Sequence, residues 1–490
     1  MKPFPHKLSG FALAALTICC MVSVAGAAKS YYVAPTGGDG NPGTKDSPFA
    51  SLDKGQAAAQ PGDTVFLRGG TYDFRSSSDE IGITFSKKGT SGSPIHYFAF
   101  PGEVPVLDFK NMTAAKRIKG VLVKADWLHL KGIEMKNIQQ SASLKAHENW
   151  CLYLDPGNNN IFENLNIHHN MGPGVFVMSG GNNLFLNCDS HDNYDAYSYS
   201  NGSLDAGQNA DGFGVHVREA SSTGNVFRGC RAWFNADDGW DFINCFAAVT
   251  VENCWAWGSG YKADTNPPQS AGNGNGFKVG GFGNPPSKVP PQIPQHTIRY
   301  CLGFNNRAAG FYQNHHPISN YYYNNTSFNN KSANYNLLGY KGGDASMGIL
   351  RNNIAYKGTA LSNATSGSGV DASGNSWNLS VQISDADFES IDSAGVYGAR
   401  LPDGSLPNIG FMKLKKGSDL IDKGTDLKLG PFVGSAPDLG AFEFGALSTP
   451  VFRPGAPRKA SLTVLLGVDD GRDLVGRLLH DRARVQLHFH

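Results

Sequence analysis

Seven stretches of this 490-residue chain decide its fold: IFENLNIHHN (161–170), LFLNCDSHDN (184–193), VFRGCRAWFN (226–235), VTVENCWAWG (249–258), HTIRYCLGFN (296–305), YYYNNTSFNN (321–330) and ILRNNIAYKG (349–358). Laid over one another they bring Leu165, Cys188, Cys230, Cys254, Cys301, Asn325 and Asn353 into one register, at separations of 23, 42, 24, 47, 24 and 28 residues. A period in the twenties, with the longer intervals near double, marks a solenoid that carries extra loops. Each stretch alternates apolar and polar residues over a few positions and ends in Asn or Gly, the pattern of short strands bounded by turns.

A second register runs between these stretches: GVFV (174–177), GFGV (212–215), GWDF (239–242), GFKV (276–279) and GFYQ (310–313). Side chains alternate faces along a strand. Val175, Phe213, Trp240, Phe277 and Phe311 therefore form an inward stack, and the residue after each points out to solvent. Two strand registers per repeat with no helix between them predict an all-β chain, a right-handed parallel β-helix in which like residues of successive coils stack in ladders. The 60 Gly and 26 Pro also work against long helices. Cys188, Cys230, Cys254 and Cys301 fall in one inward register, so a ladder of buried free thiols is expected in preference to disulfides, which an exported chain also permits.

Working outward, charged residues make up 17% of the chain while hydrophobic ones reach 40% and aromatic ones 11%, which supplies a large core and excludes wholesale disorder. A formal net charge of +1 gives no general reason to bind nucleic acid. A polyanion must meet a local site. The N-terminus, with Lys2 and Lys7, an apolar run from Phe11 to Val24, then Ala25-Gly26-Ala27, reads as a signal peptide over 1–27. Cys19 and Cys20 raise a lipoprotein alternative, but Ile18 precedes Cys19 where lipid attachment favours a small residue. No later stretch is apolar for the ~18 residues of a spanning helix. The mature chain is thus expected outside the cytoplasm, extracellular or periplasmic, free of the membrane after processing and, as a capped solenoid, monomeric. Residues 28–446 are assigned to the β-helix, and 447–490 to an Arg-rich tail expected to be poorly ordered.

The chemistry concentrates around the Gly of the second register. Asp211 and Asp238 immediately precede the Gly of their coils, so they stack; Asp241 and Lys278 follow it by two, so they stack as well. With Asp237, four carboxylates converge beside one lysine. A lone Asp-Gly is usually only a turn. Four like charges a few ångströms apart instead call for a cation, and oxygen-only ligands on turns suit Ca²⁺. The histidines His168, His169, His191, His216, His315 and His316 are scattered across registers and make no metal set. Lys278 is a general base if deprotonated; a dication would favour its neutral form and the carboxylates its charged form, so the sequence leaves the direction open.

The segments NADGF (from Asn209), NADDGWDFIN (from Asn235) and GNGNGFKVGG (from Gly272) resemble the active-site motifs of polysaccharide lyase family 9, the β-helical pectate lyases. YYVAPTGGDGNPGT (from Tyr31), PGDTVFLRGGTY (from Pro61) and PDLGAFEF (from Pro437) resemble that family's ends, so the likeness spans Lys29 to about Phe444. It implies Asp211, Asp237, Asp238 and Asp241 as Ca²⁺ ligands, Lys278 as the base that removes the sugar C5 proton, and polygalacturonate or pectin as substrate. Arg307 is a candidate partner for a substrate carboxylate. Asn209, Asn235 and Asn275 are read first as structural, and Tyr312 as a sugar platform. The insertion DAYSYSNGSLDAGQ (from Asp195) departs from the family pattern. A β-helical polygalacturonan hydrolase needs two flanking carboxylates, which NADG and ADDG superficially supply, but Gly-His-Gly is missing and the one Arg-Ile-Lys (117–119) precedes the aspartates. A lyase for another uronate polymer and a non-catalytic carbohydrate binder complete the alternatives.

Overall fold

The computed structural model describes residues 27–75, 80–112, 117–142, 148–200, 203–283, 288–340, 347–364 and 369–446. Residues 1–26, within the stretch expected to be a signal peptide, and the Arg-rich 447–490 lie outside them. Each coil feeds one strand to each of three parallel sheets: twelve-stranded sheet A, from Ser30–Val33 to Gly369–Asp371, and ten-stranded sheets B and C, from Gly70–Arg75 to Ile354–Tyr356 and from Ile81–Phe85 to Leu361–Ser362. The chain is a parallel β-helix, but with three strands per coil where two registers were read. The discrepancy has a local cause. Each repeated stretch holds two strands, such as Ile161–Glu163 in sheet A and Asn166–His168 in sheet B. Between them one residue turns the corner in the left-handed region: Asn164 (φ 51), Asn187 (φ 55), Asn253 (φ 53), Tyr300 (φ 54), Asn324 (φ 50) and Asn352 (φ 58). Asn tolerates that conformation better than other non-glycine residues, which explains why it recurs at the repeat corners.

The residue after this corner is the ladder position found in sequence. Trp255 N–H donates to the Cys230 carbonyl and Leu302 N–H to that of Cys254, one coil apart. All six cysteines among the described residues are free and buried. The thiol ladder hands over to amides where Cys301 N–H donates to Asn325 Oδ1 at 2.9 Å and Asn325 Nδ2 to Asn353 Oδ1 at 3.1 Å.

Inside, sheet C contributes the stack Phe213, Trp240, Phe277, Phe311 and Tyr335, with ring centroids 4.8–5.0 Å apart and planes within 19°. Sheet A contributes Phe162, Phe185 and Phe227 at 4.7 and 4.6 Å. Each fully buried ring is worth roughly 1.5–3 kcal/mol. Sheet B faces them with small residues, Ser190, Ala232, Ala256, Gly303 and Ser327, leaving the rings room. Residues 379–442 run back over the outer face of sheet B, where Phe388, Val396, Phe411, Leu414 and Leu439 cluster with Trp255, Trp257, Phe304 and Phe328. The helix Leu52–Ala58, whose Ser51 Oγ accepts Lys54 N–H at 3.1 Å, packs beside the first strand.

Candidate active site

The turns entering sheet C carry the aspartates. The glycine beside each is needed for contact between coils: a Cβ on Gly239 would lie 2.5 Å from the Gly276 carbonyl oxygen, and one on Gly212 would lie 2.7 Å from that of Gly239. Such crowding clamps Asp211 and Asp238 one above the other, and Gly212 N–H donates to the Asp238 carbonyl at 3.0 Å. Asp241 and Lys278 are register partners on adjacent strands, as are Lys278 and Tyr312 on the next pair.

Lys278 Nζ lies 2.9 Å from Asp241 Oδ2 and 3.1 Å from Asp238 Oδ2. These outward-pointing groups do not face open solvent, as the alternation alone suggested. Lys278 is 8% exposed, Asp241 4%, Asp211 3%, Asp237 2% and Asp238 0%. Backbone donors fix one oxygen of each of the four carboxylates: Asn273 N–H on Asp237 Oδ1, Asn275 N–H on Asp238 Oδ1 and Ile243 N–H on Asp241 Oδ1, each at 2.7 Å, are three of them. Asp211 Oδ1 accepts Asp238 N–H at 3.2 Å. Among the described residues, Asp238 Oδ2 has no partner besides the Lys278 ammonium.

Burial and then the neighbouring carboxylates push Asp211 and Asp237 well above the ordinary carboxyl range, and Asp238 is raised with burial as its main cause. Burial opposes the Lys278 charge, but Asp241, Asp238, Asp237 and Asp211 outweigh it and hold the ammonium well above the usual lysine range. Without another cation, then, Lys278 is the counter-ion of the cluster. The donor set fits a hard dication: Asp211, Asp237 and Asp238 each offer an oxygen within 4.8 Å of the others, and the Lys278 ammonium is the charge now set against them.

His216, set aside above among the scattered histidines, is brought by the fold to the cluster: a ring nitrogen lies within 4.8 Å of carboxylate oxygens of Asp211 and Asp241. It lies two residues after Gly214, at the next outward position, a signal that simple alternation carries. Among the described residues its Nε2 has no hydrogen-bond partner, and it stands 3.9 Å from Asp241 Oδ2; burial is the main reason its pKa falls to about 3, keeping it neutral. Asn275 proves to be a site residue, since its Nδ2 also donates to Asp238 Oδ1 at 2.9 Å. Asn235 is structural: it takes Asn193 Nδ2 at 2.8 Å and donates to the Ser190 carbonyl. Asn209 donates through its backbone to Asp195 Oδ2 at 3.0 Å, anchoring the inserted loop. Arg307 lies on the turn into the next coil, and its Nη1 donates to the Gly272 carbonyl, bracing the loop that holds Asn273 and Asn275.

A parallel β-helix with a buried carboxylate–lysine cluster on one sheet defines a class of polysaccharide-cleaving solenoids. Residues 31–353 match the model of the Pel9A-like right-handed β-helix region. The chain belongs to this family, polysaccharide lyase family 9, as its three central motifs imply. Pectate lyase L of Dickeya chrysanthemi is 35% identical over 84% of this chain and 90% of its own length. Among solved structures, a rhamnogalacturonan lyase superposes with a TM-score of 0.71 at 36% identity, over 79% of this chain and 97% of its own. The pectate lyase Pel9A superposes at 0.69 and 32% identity, over 85% and 96%.

Proposed function

We propose that this chain is a secreted, Ca²⁺-dependent pectate lyase that cleaves α-1,4-galacturonan by β-elimination. The observation that carries the reading is Lys278 Nζ set 2.9 and 3.1 Å from two of four clustered carboxylates on one sheet. Asp211, Asp237, Asp238 and Asp241 hold the metal, which when bound supplies positive charge against the uronate carboxylate and eases the build-up of charge at C5. Lys278, as the neutral amine, takes the C5 proton. The C5–H electron pair becomes the C4=C5 double bond, and the C4–O4 bond breaks with its electrons on the leaving oxygen. Lys278 acts once the charges that hold its proton are offset. Arg307 keeps Nε and Nη2 for a substrate carboxylate. The apolar N-terminal segment directs export, and among the described residues no helix is long and apolar enough to cross a membrane. The protein acts as a monomer on a polysaccharide and has no role with nucleic acid.

The test is the ultraviolet absorbance of the new double bond when the purified chain meets polygalacturonate, with Ca²⁺ or with chelator. A Ca²⁺-dependent rise supports the reading. New reducing ends without absorbance would replace it with hydrolysis. The likeness to a rhamnogalacturonan lyase favours a second reading, the same elimination on a backbone where galacturonate alternates with rhamnose. Activity on that polymer alone would select it.

A further inference from the structure

The outward positions of sheet C run, one per coil, Tyr153, Phe176, Gly214, Asp241, Lys278, Tyr312 and Asn336. Coils are spaced by roughly 4.8 Å, and a pyranose linked through O1 and O4 advances by a similar step. A uronate chain laid along this column with one ring over Lys278 sets its neighbours over the adjoining positions. On the Asp241 side the next position is Gly214, which has no side chain and lies against the Phe176 ring, so that position itself offers no donor.

On the other side stands Tyr312, half-buried, its ring 6.4 Å from that of His315. Its hydroxyl has no hydrogen-bond partner among the described residues. Of its neighbours, Asn336 turns its Oδ1 to Asn363 Nδ2 at 2.8 Å and Leu338 N–H at 3.2 Å, and His315 Nδ1 bonds the Gly339 carbonyl oxygen at 2.8 Å. Arg307, on the turn before this strand, holds its own donors beside the column, and Tyr312 is the donor within the column one coil beyond the base.

We propose that Tyr312 is a specificity-determining residue whose hydroxyl donates to the carboxylate of the galacturonate adjoining the one that loses its C5 proton. The inference rests on the lyase reading above and sharpens its substrate. In a homogalacturonan that neighbour carries a carboxylate; in an alternating backbone it is a neutral rhamnose. Burial raises the phenol to about 12, so the donor proton persists through the alkaline range.

The test compares wild type with Tyr312→Phe and Tyr312→Ala on polygalacturonate and on a rhamnogalacturonan backbone, with Ca²⁺-dependent melting measured alongside. Tyr312→Phe is expected to raise KM for polygalacturonate about tenfold with kcat little changed, the signature of lost uniform binding through one hydrogen bond to a charged group. Melting stays put, and any rate on the alternating backbone is unaffected. Tyr312→Ala adds loss of the ring's contact area and raises KM further. An unchanged KM, a loss confined to kcat, or equal losses on both polymers would overturn the inference. Wild type inert on polygalacturonate overturns the underlying reading instead, and this is seen before any variant is compared.

Discussion

Among the described residues Lys278 pairs with Asp238 and Asp241 and with no neutral hydrogen-bond partner, so its removal has two separable effects. Lys278→Ala should lower kcat by at least ~10²–10⁴-fold, the usual worth of a general base. In chelator the variant should also melt early, because breaking a buried ion pair costs roughly 3–5 kcal/mol. With Ca²⁺ the thermal midpoint should return close to wild type while elimination stays absent; retained turnover would remove Lys278 from the role of base. The Asp-Gly and Gly-Phe-Lys motifs made all five residues of this cluster legible in the sequence. The sequence did not show that the lysine is nearly enclosed, because enclosure comes from turns of other coils. Nor did it show that Asn275 steers Asp238, since Asn at solenoid turns has many structural uses.

At the scale of elements, strand register was the legible part. Cys230 over Cys254 and Phe277 over Phe311 follow from a ladder in which like residues stack. The segment over sheet B was not legible, because it has no period, only two 3-10 turns, Asp385–Asp387 and Ala394–Tyr397. One ion cluster ties it down. Asp189 takes Arg231 Nε and Nη2 at 2.9 and 2.7 Å, while Arg400 of that segment reaches Asp189 and the Gly229 and Cys188 carbonyls. Burial would raise Asp189, but Arg400 and Arg231 prevail and hold it at about 2. A depressed folded-state pKa gives stability that is full above the ordinary value near 4 and is lost as pH falls from there toward 2. Arg400→Met should therefore cost about 2–3 kcal/mol at pH 7, read as a lower denaturant midpoint. The difference from wild type should shrink at pH 3; a gap independent of pH would mean the arginine acts through its carbonyl bonds alone. Phe277→Ala, beneath Lys278 in the inward stack, should cost about 3–5 kcal/mol whatever the pH.

Across the whole molecule, the acidic cluster places a charge burden on a solenoid whose other coils are held by apolar stacks. In the metal-free protein the raised pKa values of Asp211 and Asp237 mean that the folded chain keeps protons the unfolded chain has released. The sign follows: between about pH 4, where unfolded aspartates ionise, and the higher folded-state values, each rise in pH takes stability away. The lysine does not offset this slope, since its raised pKa gives a contribution that is constant until pH nears the ordinary lysine value. A dication that binds only the folded cluster stabilises it by mass action, and more so as the carboxylates give up their protons. The thermal midpoint in Ca²⁺ minus that in chelator should therefore widen steadily from pH 4 to pH 8. In Asp237→Asn, which removes one of the two most strongly raised groups, the chelator curve should flatten and the Ca²⁺ gap should narrow at every pH. A gap that stays constant with pH, or one that Asp237→Asn leaves intact, would place the metal away from these carboxylates and with it the charge that the elimination draws on.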